Sequence, residues 1–393
     1  MSCEAFYGKF HLDDQLIRKA AFNPYYLTVQ SGLNDMIIIE DEEVVDLASN
    51  NYLGIANDQR VKRAVVEAVN KYGASMCATP ISVGFSDLYK ETCQKLSSFI
   101  GLEDSLIYPS CYQANNGVFS AIAKQDDVIV IDQFAHSSLI EGARATGCKI
   151  RPFLHNNLDS LQNNLKNCEK YSQIFVVTES VFSTEGSIAP FNSIVDICRQ
   201  YSALPVIDDS HGIGVLGATG KGILEHLGIT DYDGIYLASL GKALANLGGV
   251  VSGKKSLIDY LKYFSSHLVY STALPPHVLA GILEVLNIIE DEFDNLSQKM
   301  WFARNTLRDA LSESGYQLSP AEAPIISIRT GDSVDTILFA KQLFINKIIS
   351  TPFIYPSVPK NKGVIRMIAG ANLSTKNLDR VISCFKEIKR DLA

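Results

Sequence analysis

A chain of 393 residues, 47% hydrophobic and 20% charged, has globular composition and room for a large core. Its net charge of −8 excludes a domain-scale basic field for a nucleic-acid backbone, so anionic small substrates need local positive groups. Eight scattered cysteines form no CxxC pair or Cys/His cluster, which predicts reduced, mostly buried thiols and no metal site.

The N-terminus, Met1-Ser2-Cys3-Glu4, has no basic leader, and no apolar run reaches the roughly 18 residues of a membrane span. A cytoplasmic protein is expected. Residues 1–55 read as an irregular arm with a short strand over 36–40, then the turn-rich Ala48-Ser49-Asn50-Asn51-Tyr52-Leu53-Gly54. Helical spacing covers 61–72 and 87–100, with Gly73 and Gly101 as stops. Short apolar runs follow at 105–108, 128–131, 174–178, 204–207, 235–238 and 249–252, separated by helical stretches. That alternation predicts a mainly parallel sheet covered on both faces. A long amphipathic helical region over 279–314 leads to strands at 325–328 and 364–368 and a last helix from 375 to about 392. The expected division is an arm (1–55), a large domain (56–285) and a smaller α/β domain (286–393).

Chemistry in an α/β protein sits in the turns after its parallel strands. Ile207-Asp208-Asp209-Ser210-His211-Gly212 ends a strand in two carboxylates and an imidazole. An acid there holds a proton on a heteroaromatic nitrogen, or is merely an acidic surface turn. Ala238-Ser239-Leu240-Gly241-Lys242 puts a lysine after a tight turn: an imine former, or a surface lysine. His136 follows the 128–131 run and is a ring that stacks on a flat cofactor, or a helix cap. Glu179 and Ser183 follow the 174–178 run, in what is otherwise a polar loop.

Gly212-Ile213-Gly214-Val215-Leu216-Gly217 spells a dinucleotide fingerprint, but Asp208 to His211 separate it from the strand end. Gly220-Lys221 lacks the upstream glycine and the following Ser/Thr of a P-loop.

In order and spacing, these turns resemble the α-oxoamine synthases, of the fold-type-I pyridoxal-phosphate enzymes. The resemblance runs from Asn50-Asn51-Tyr52-Leu53-Gly54 through Tyr270-Ser271-Thr272-Ala273-Leu274-Pro275-Pro276 to Ile365-Arg366. It implies a seven-stranded, mainly parallel large domain with a smaller C-terminal α/β domain. It implies that Lys242 holds pyridoxal 5'-phosphate as a Schiff base and that Asp208 pairs with the pyridinium nitrogen. His211 and Ser183 would approach the ring's phenolic oxygen, with Glu179 nearby, and His136 would stack on the ring. Ser239 and the backbone N–H groups of Cys111 and Tyr112 would bind the phosphate. Ser271 and Thr272 would add a phosphate contact across a homodimer interface that shares the active site. Asn50 and Arg366 would bind the substrate's α-carboxylate. The implied reaction joins an amino acid to an acyl-CoA with loss of carbon dioxide, and its catalytic residues are Lys242, His136, Asp208 and His211.

The 73–89 segment departs from the biotin-pathway and threonine-degradation members: their Ser-Arg is absent, Pro80 stands about there, and Tyr89 replaces a histidine. Cys111 replaces the usual glycine before the phosphate-loop aromatic. The stretches 134–144, 152–157, 183–190, 238–240 and 360–366 are more similar to the branch making α-hydroxyketone quorum-sensing autoinducers. An 8-amino-7-oxononanoate synthase or glycine C-acyltransferase is the second expectation. A transaminase or lyase, or a non-catalytic partner subunit, is the alternative from another class.

Overall fold

The structure, a computed structural model, describes residues 3–10 and 15–391, so Met1, Ser2 and Leu392 lie outside the described residues. The short apolar runs pair into one seven-stranded sheet. Its strands are β1 (Asp104–Tyr108), β2 (Val128–Asp132), β3 (Lys149–Phe153), β4 (Ile174–Glu179), β5 (Leu204–Asp208), β6 (Ile235–Ser239) and β7 (Gly249–Gly253). Their spatial order is β1-β7-β6-β5-β4-β2-β3. Strands β2, β4 and β7 are buried at every position and β5 at all but its first, as strands covered on both faces must be.

Only β7 runs against the others, and it lies inside the sheet between β1 and β6. Ser239 pairs with Gly249, so the short link between them closes a hairpin and cannot make a parallel crossover. The sequence reading missed β3, which carries Lys149 and Arg151 and is half-exposed at the sheet edge.

Helix starts and stops follow local chemistry. Asp58 caps Gln59–Tyr72 by accepting from Arg60 N, and Ser86 caps Asp87–Ile100 by accepting from Tyr89 N. Helix Pro276–Glu313 joins two cores. Its residues through Met300 are buried in the large core, and Ala303, Leu307 and Leu311 enter a smaller one. The smaller core lies under an antiparallel sheet of Ile326–Gly331, Gly363–Met367 and Thr351–Phe353. The arm's hairpin, Met36–Ile39 with Glu42–Asp46, is extended by Ile348–Ile349, which ties the arm to the C-terminal part.

The glycine-rich stretch after β5 wraps carboxylates of its own chain. A Cβ at Gly212 or Gly222 would come within 1.9 Å of an Asp209 oxygen, and one at Gly217 within 2.1 Å of Glu225. Those glycines give room to buried acids and do not form a nucleotide loop. Among the cysteines with described side chains, only Cys77 is exposed and Cys111 is half-buried; the others are buried and all are free. No helix among the described residues is long and apolar enough to cross a membrane.

Candidate active site

Six of the seven strands run in one direction, so the ends of β1, β2, β4, β5 and β6 open on the same edge of the sheet. That edge brings together residues from distant turns. A cavity of about 850 Å³ is lined by Asn50, His136, Glu179, Ser183, His211, Lys242 and Arg366. Asp208, Ser239, Cys111, Tyr112, Ser271 and Thr272 are off its wall.

Asp208 ends β5 and is buried. Its Oδ2 accepts from Asn115 Nδ2 at 2.9 Å and its Oδ1 from Ser210 N at 3.0 Å. Asn115 Nδ2 also donates to Ser138 Oγ (2.8 Å), which contacts His136 Nδ1 at 2.7 Å. A continuous network therefore links the buried acid to the histidine on the cavity wall. His136 caps helix Ser137–Ala145, and its N–H donates to Glu179 Oε1 at 2.7 Å. Burial first, then the neighbouring Asp208, raises the Glu179 carboxyl above the usual glutamate range.

Lys242 follows β6 through the turn 239–242. Burial lowers its amine below the usual lysine range, partly offset by Asp208, Cys111 and Glu179. A lysine with a lowered pKa spends more time as the neutral nucleophile. His211 Nδ1 lies 2.8 Å from Tyr52 Oη, and both rings are buried. Burial, reinforced by the positive charges of Lys242 and Arg366, keeps His211 well below the usual histidine range.

Ser110 ends β1's turn and caps helix Cys111–Ile122, accepting from Gln113 N. The Cys111 and Tyr112 N–H groups are the free first-turn donors of that helix, an anion-binding arrangement. Gly249 lies against them: a Cβ there would sit 2.4 Å from Cys111 Cα and 2.6 Å from its N. Ser210 Oγ accepts from Ser239 N at 2.9 Å and lies 3.3 Å from Cys111 Sγ, which ties three strand ends together. Ser239 Oγ accepts from Gly241 N. Ser271 Oγ accepts from Gln113 Nε2 of the same helix at 3.2 Å, and Thr272 is exposed. Tyr112 Oη points outward and donates to Glu141.

Arg366, on Gly363–Met367, is buried, lies 5.0 Å over the Phe353 ring and donates to Ser183 O at 3.3 Å. Its Nε and the Asn50 Oδ1 are buried without a partner among the described residues. Two orphaned polar atoms in residues of one cavity call for a polar ligand.

Sequence reasoning missed Asn115, Ser138, Ser210 and Tyr52 as parts of this network. Asn115-Asn116 inside an otherwise apolar helix was the available signal for the first of them.

The aminotransferase class I and II profile matches residues 42–385. An 8-amino-7-oxononanoate synthase of Thermoanaerobacter pseudethanolicus is 33% identical over 96% of this chain and 95% of its own. A serine palmitoyltransferase variant from S. paucimobilis, solved with bound pyridoxal phosphate and myriocin, superposes with a TM-score of 0.94 at 20% identity, covering 100% and 99% of the two chains. An 8-amino-7-oxononanoate synthase structure from Francisella tularensis gives 0.76 at 26% identity, covering 89% and 99%. The chain belongs to the aminotransferase class I and II family and, within it, to the α-oxoamine synthases, pyridoxal-phosphate enzymes of fold type I.

Proposed function

We propose that this enzyme condenses an amino acid with a fatty acyl thioester, with loss of carbon dioxide, to an α-aminoketone that serves as precursor of an α-hydroxyketone signal. One observation carries the amino-acid half. The same cavity holds a lysine lowered by burial, an arginine with a free donor and an asparagine with a free acceptor.

The residues fit pyridoxal phosphate. The helix N-terminus at Cys111 and Tyr112, with the close Gly249 backbone and Ser239, offers donors for a phosphate. Asp208, fixed on both oxygens, offers a carboxylate to a ring nitrogen. His136 offers a ring face, and Ser183 and His211 offer polar atoms at the ring's edge. When bound, the cofactor supplies an electron sink for the pair released at the substrate's α-carbon.

Arg366 and the Asn50 Nδ2 donate to the amino acid's carboxylate, the free Asn50 Oδ1 accepts from its amino group, and its α-carbon is so fixed against Lys242. Lys242 Nζ would hold the cofactor, and its amine, kept neutral by burial, is the base that takes the substrate's α-proton. Tyr52 fixes the His211 ring, and burial keeps it neutral, so it presents a hydrogen-bonding nitrogen without a second positive charge. Ser271 and Thr272 belong to a segment that reaches a partner copy in a homodimer.

The sequences at 134–144, 152–157 and 360–366 favour the signal-forming branch. The 33% identity to 8-amino-7-oxononanoate synthases supports a second reading, in which the acyl chain ends in a carboxylate. Thiol release measured across acyl-CoA lengths, crossed with several amino acids, separates them. Medium or long unfunctionalised chains are expected to win. Release of a keto acid with no free thiol would indicate a transaminase, and a protein that takes up no pyridoxal phosphate would overturn the whole reading.

A further inference from the structure

The cavity has a second cluster of titratable groups beside the catalytic one, and the reaction as derived does not use it. His155 lies between two carboxylates. Its Nδ1 is 3.2 Å from Asp132 Oδ1 and 3.3 Å from Oδ2. Its Nε2 is 3.3 Å from Glu185 Oε1 and 3.2 Å from Ser187 Oγ. Asp132 is fully buried, and His155 is half-buried with its side chain 18% exposed. Only the doubly protonated imidazole donates to both carboxylates at once. Asp132 and Glu185 are the charged groups facing the ring. Burial alone would lower its pKa, but the two carboxylates outweigh burial and raise it to about 9.

The two carboxylates belong to different walls. Asp132 ends β2 and its Oδ1 accepts from Phe134 N at 2.8 Å, which fixes the turn that carries Phe134 and His136. Glu185 lies in the 182–187 loop with Phe182 and Ser183 and accepts from Ser187 Oγ. Phe134, Phe182 and Glu185 all line the cavity. The His155 ring touches both aromatics, 5.0 Å from Phe134 and edge-on to Phe182 at 4.2 Å. Phe134 is more than half exposed on the cavity wall, an apolar side chain open to an apolar ligand.

We propose that His155 is a positioning residue that clasps the 132–136 turn to the 182–187 loop. Through Phe134 and Phe182 it sets the slot that receives the acyl chain of the thioester. The inference rests on the acyl-thioester reading given above. The amino acid is held by the side chains of Arg366 and Asn50, which His155 does not touch; Arg366 meets the clasped loop only at the Ser183 carbonyl.

The test uses the holoenzyme with His155→Gln, Glu185→Gln and the double variant. Long-chain acyl-CoA, acetyl-CoA and the amino acid are titrated separately. Hydrogen exchange is followed over residues 132–136 and 182–187. Loss of the clasp is expected to raise KM for the long-chain thioester by roughly tenfold, with little change for the amino acid or in the bound cofactor's absorbance. Both segments exchange faster together, and the double variant adds little to either single one. Wild-type KM and exchange in His155→Gln overturn the proposal. So does an equal loss for every substrate and for cofactor uptake, which would mark a merely structural role. If His155→Gln does not fold, Glu185→Gln decides the same question. A wild type that consumes no acyl thioester sinks the functional reading instead, and the exchange data still decide whether the clasp exists.

Discussion

Asn115 Nδ2 donates to Asp208 Oδ2 at 2.9 Å, joining a helix residue to a strand end 93 positions later. The same amide holds Ser138 Oγ, and through it His136. Asn115→Leu keeps the volume but removes both donors inside a buried network. Leaving such groups unpaired costs about 1–3 kcal/mol. Urea denaturation is expected to report a loss of that size, and absorbance titration a weaker hold on pyridoxal phosphate. Wild-type values in both would mean that the amide does not organise the site.

Gly249→Ala tests the phosphate cradle. Its Cβ would sit 2.4 Å from Cys111 Cα and 2.8 Å from Ser110 C, all backbone, so the helix start must shift. Misplaced first-turn N–H groups hold a phosphate poorly, so affinity for pyridoxal phosphate is expected to fall roughly tenfold or more. Free pyridoxal, which lacks the phosphate, is expected to bind both proteins alike. Equal loss for both ligands would place the damage elsewhere.

The sheet was legible because buried parallel strands read as continuous apolar runs, and the polar residues at their ends stand out against them. Asp208, Glu179, Ser239 and His136 were found that way. Strand β3 was not, because an edge strand with Lys149, Arg151 and Pro152 lacks the apolar run. The reversal of β7 was hidden because direction leaves no trace in composition; it follows only from the short link after Ser239. Asn115 and Tyr52 act through side-chain contacts between distant segments, which no local pattern encodes. Asp209 was read with its neighbour as one acidic turn, but the two point into different surroundings. One lies in the Asn115 network, and the other lies between two glycines.

Asp209 gives a pH prediction. It is fully buried, accepts from Tyr236 Oη at 2.8 Å and from Ile223 N at 2.9 Å, and has an unpartnered Oδ1 near the equally unpartnered Ser180 Oγ. Burial raises its carboxyl to about 7. An unfolded aspartate titrates near about 3.9, so between these values the folded state binds more protons than the unfolded one. Stability from this group is therefore present at acid pH and falls as pH rises towards about 7. Asp209→Asn removes that loss and keeps a donor for Ser180. Relative to wild type it is expected to gain on the order of 4 kcal/mol between pH 4 and pH 8, read as the difference between two urea-denaturation series. Parallel pH curves for the two proteins would refute the assignment.

Arg366→Lys separates substrate recognition from cofactor binding. The guanidinium lies 5.0 Å from the Phe353 ring centre, spends one donor on Ser183 O, and leaves a buried Nε unpaired in the cavity that also holds the unpaired Asn50 Oδ1. Lysine keeps the charge but loses the planar fork and the stacking, so it cannot reproduce a two-point hold on a carboxylate. KM for the amino acid is expected to rise roughly 10–100-fold, while cofactor absorbance and KM for the acyl thioester stay near wild type. An amine that has lost the substrate's carboxylate should then bind wild type and variant with similar, weak affinity. If that amine discriminates between the two proteins as strongly as the amino acid does, Arg366 is acting on the fold of the cavity and does not bind the carboxylate.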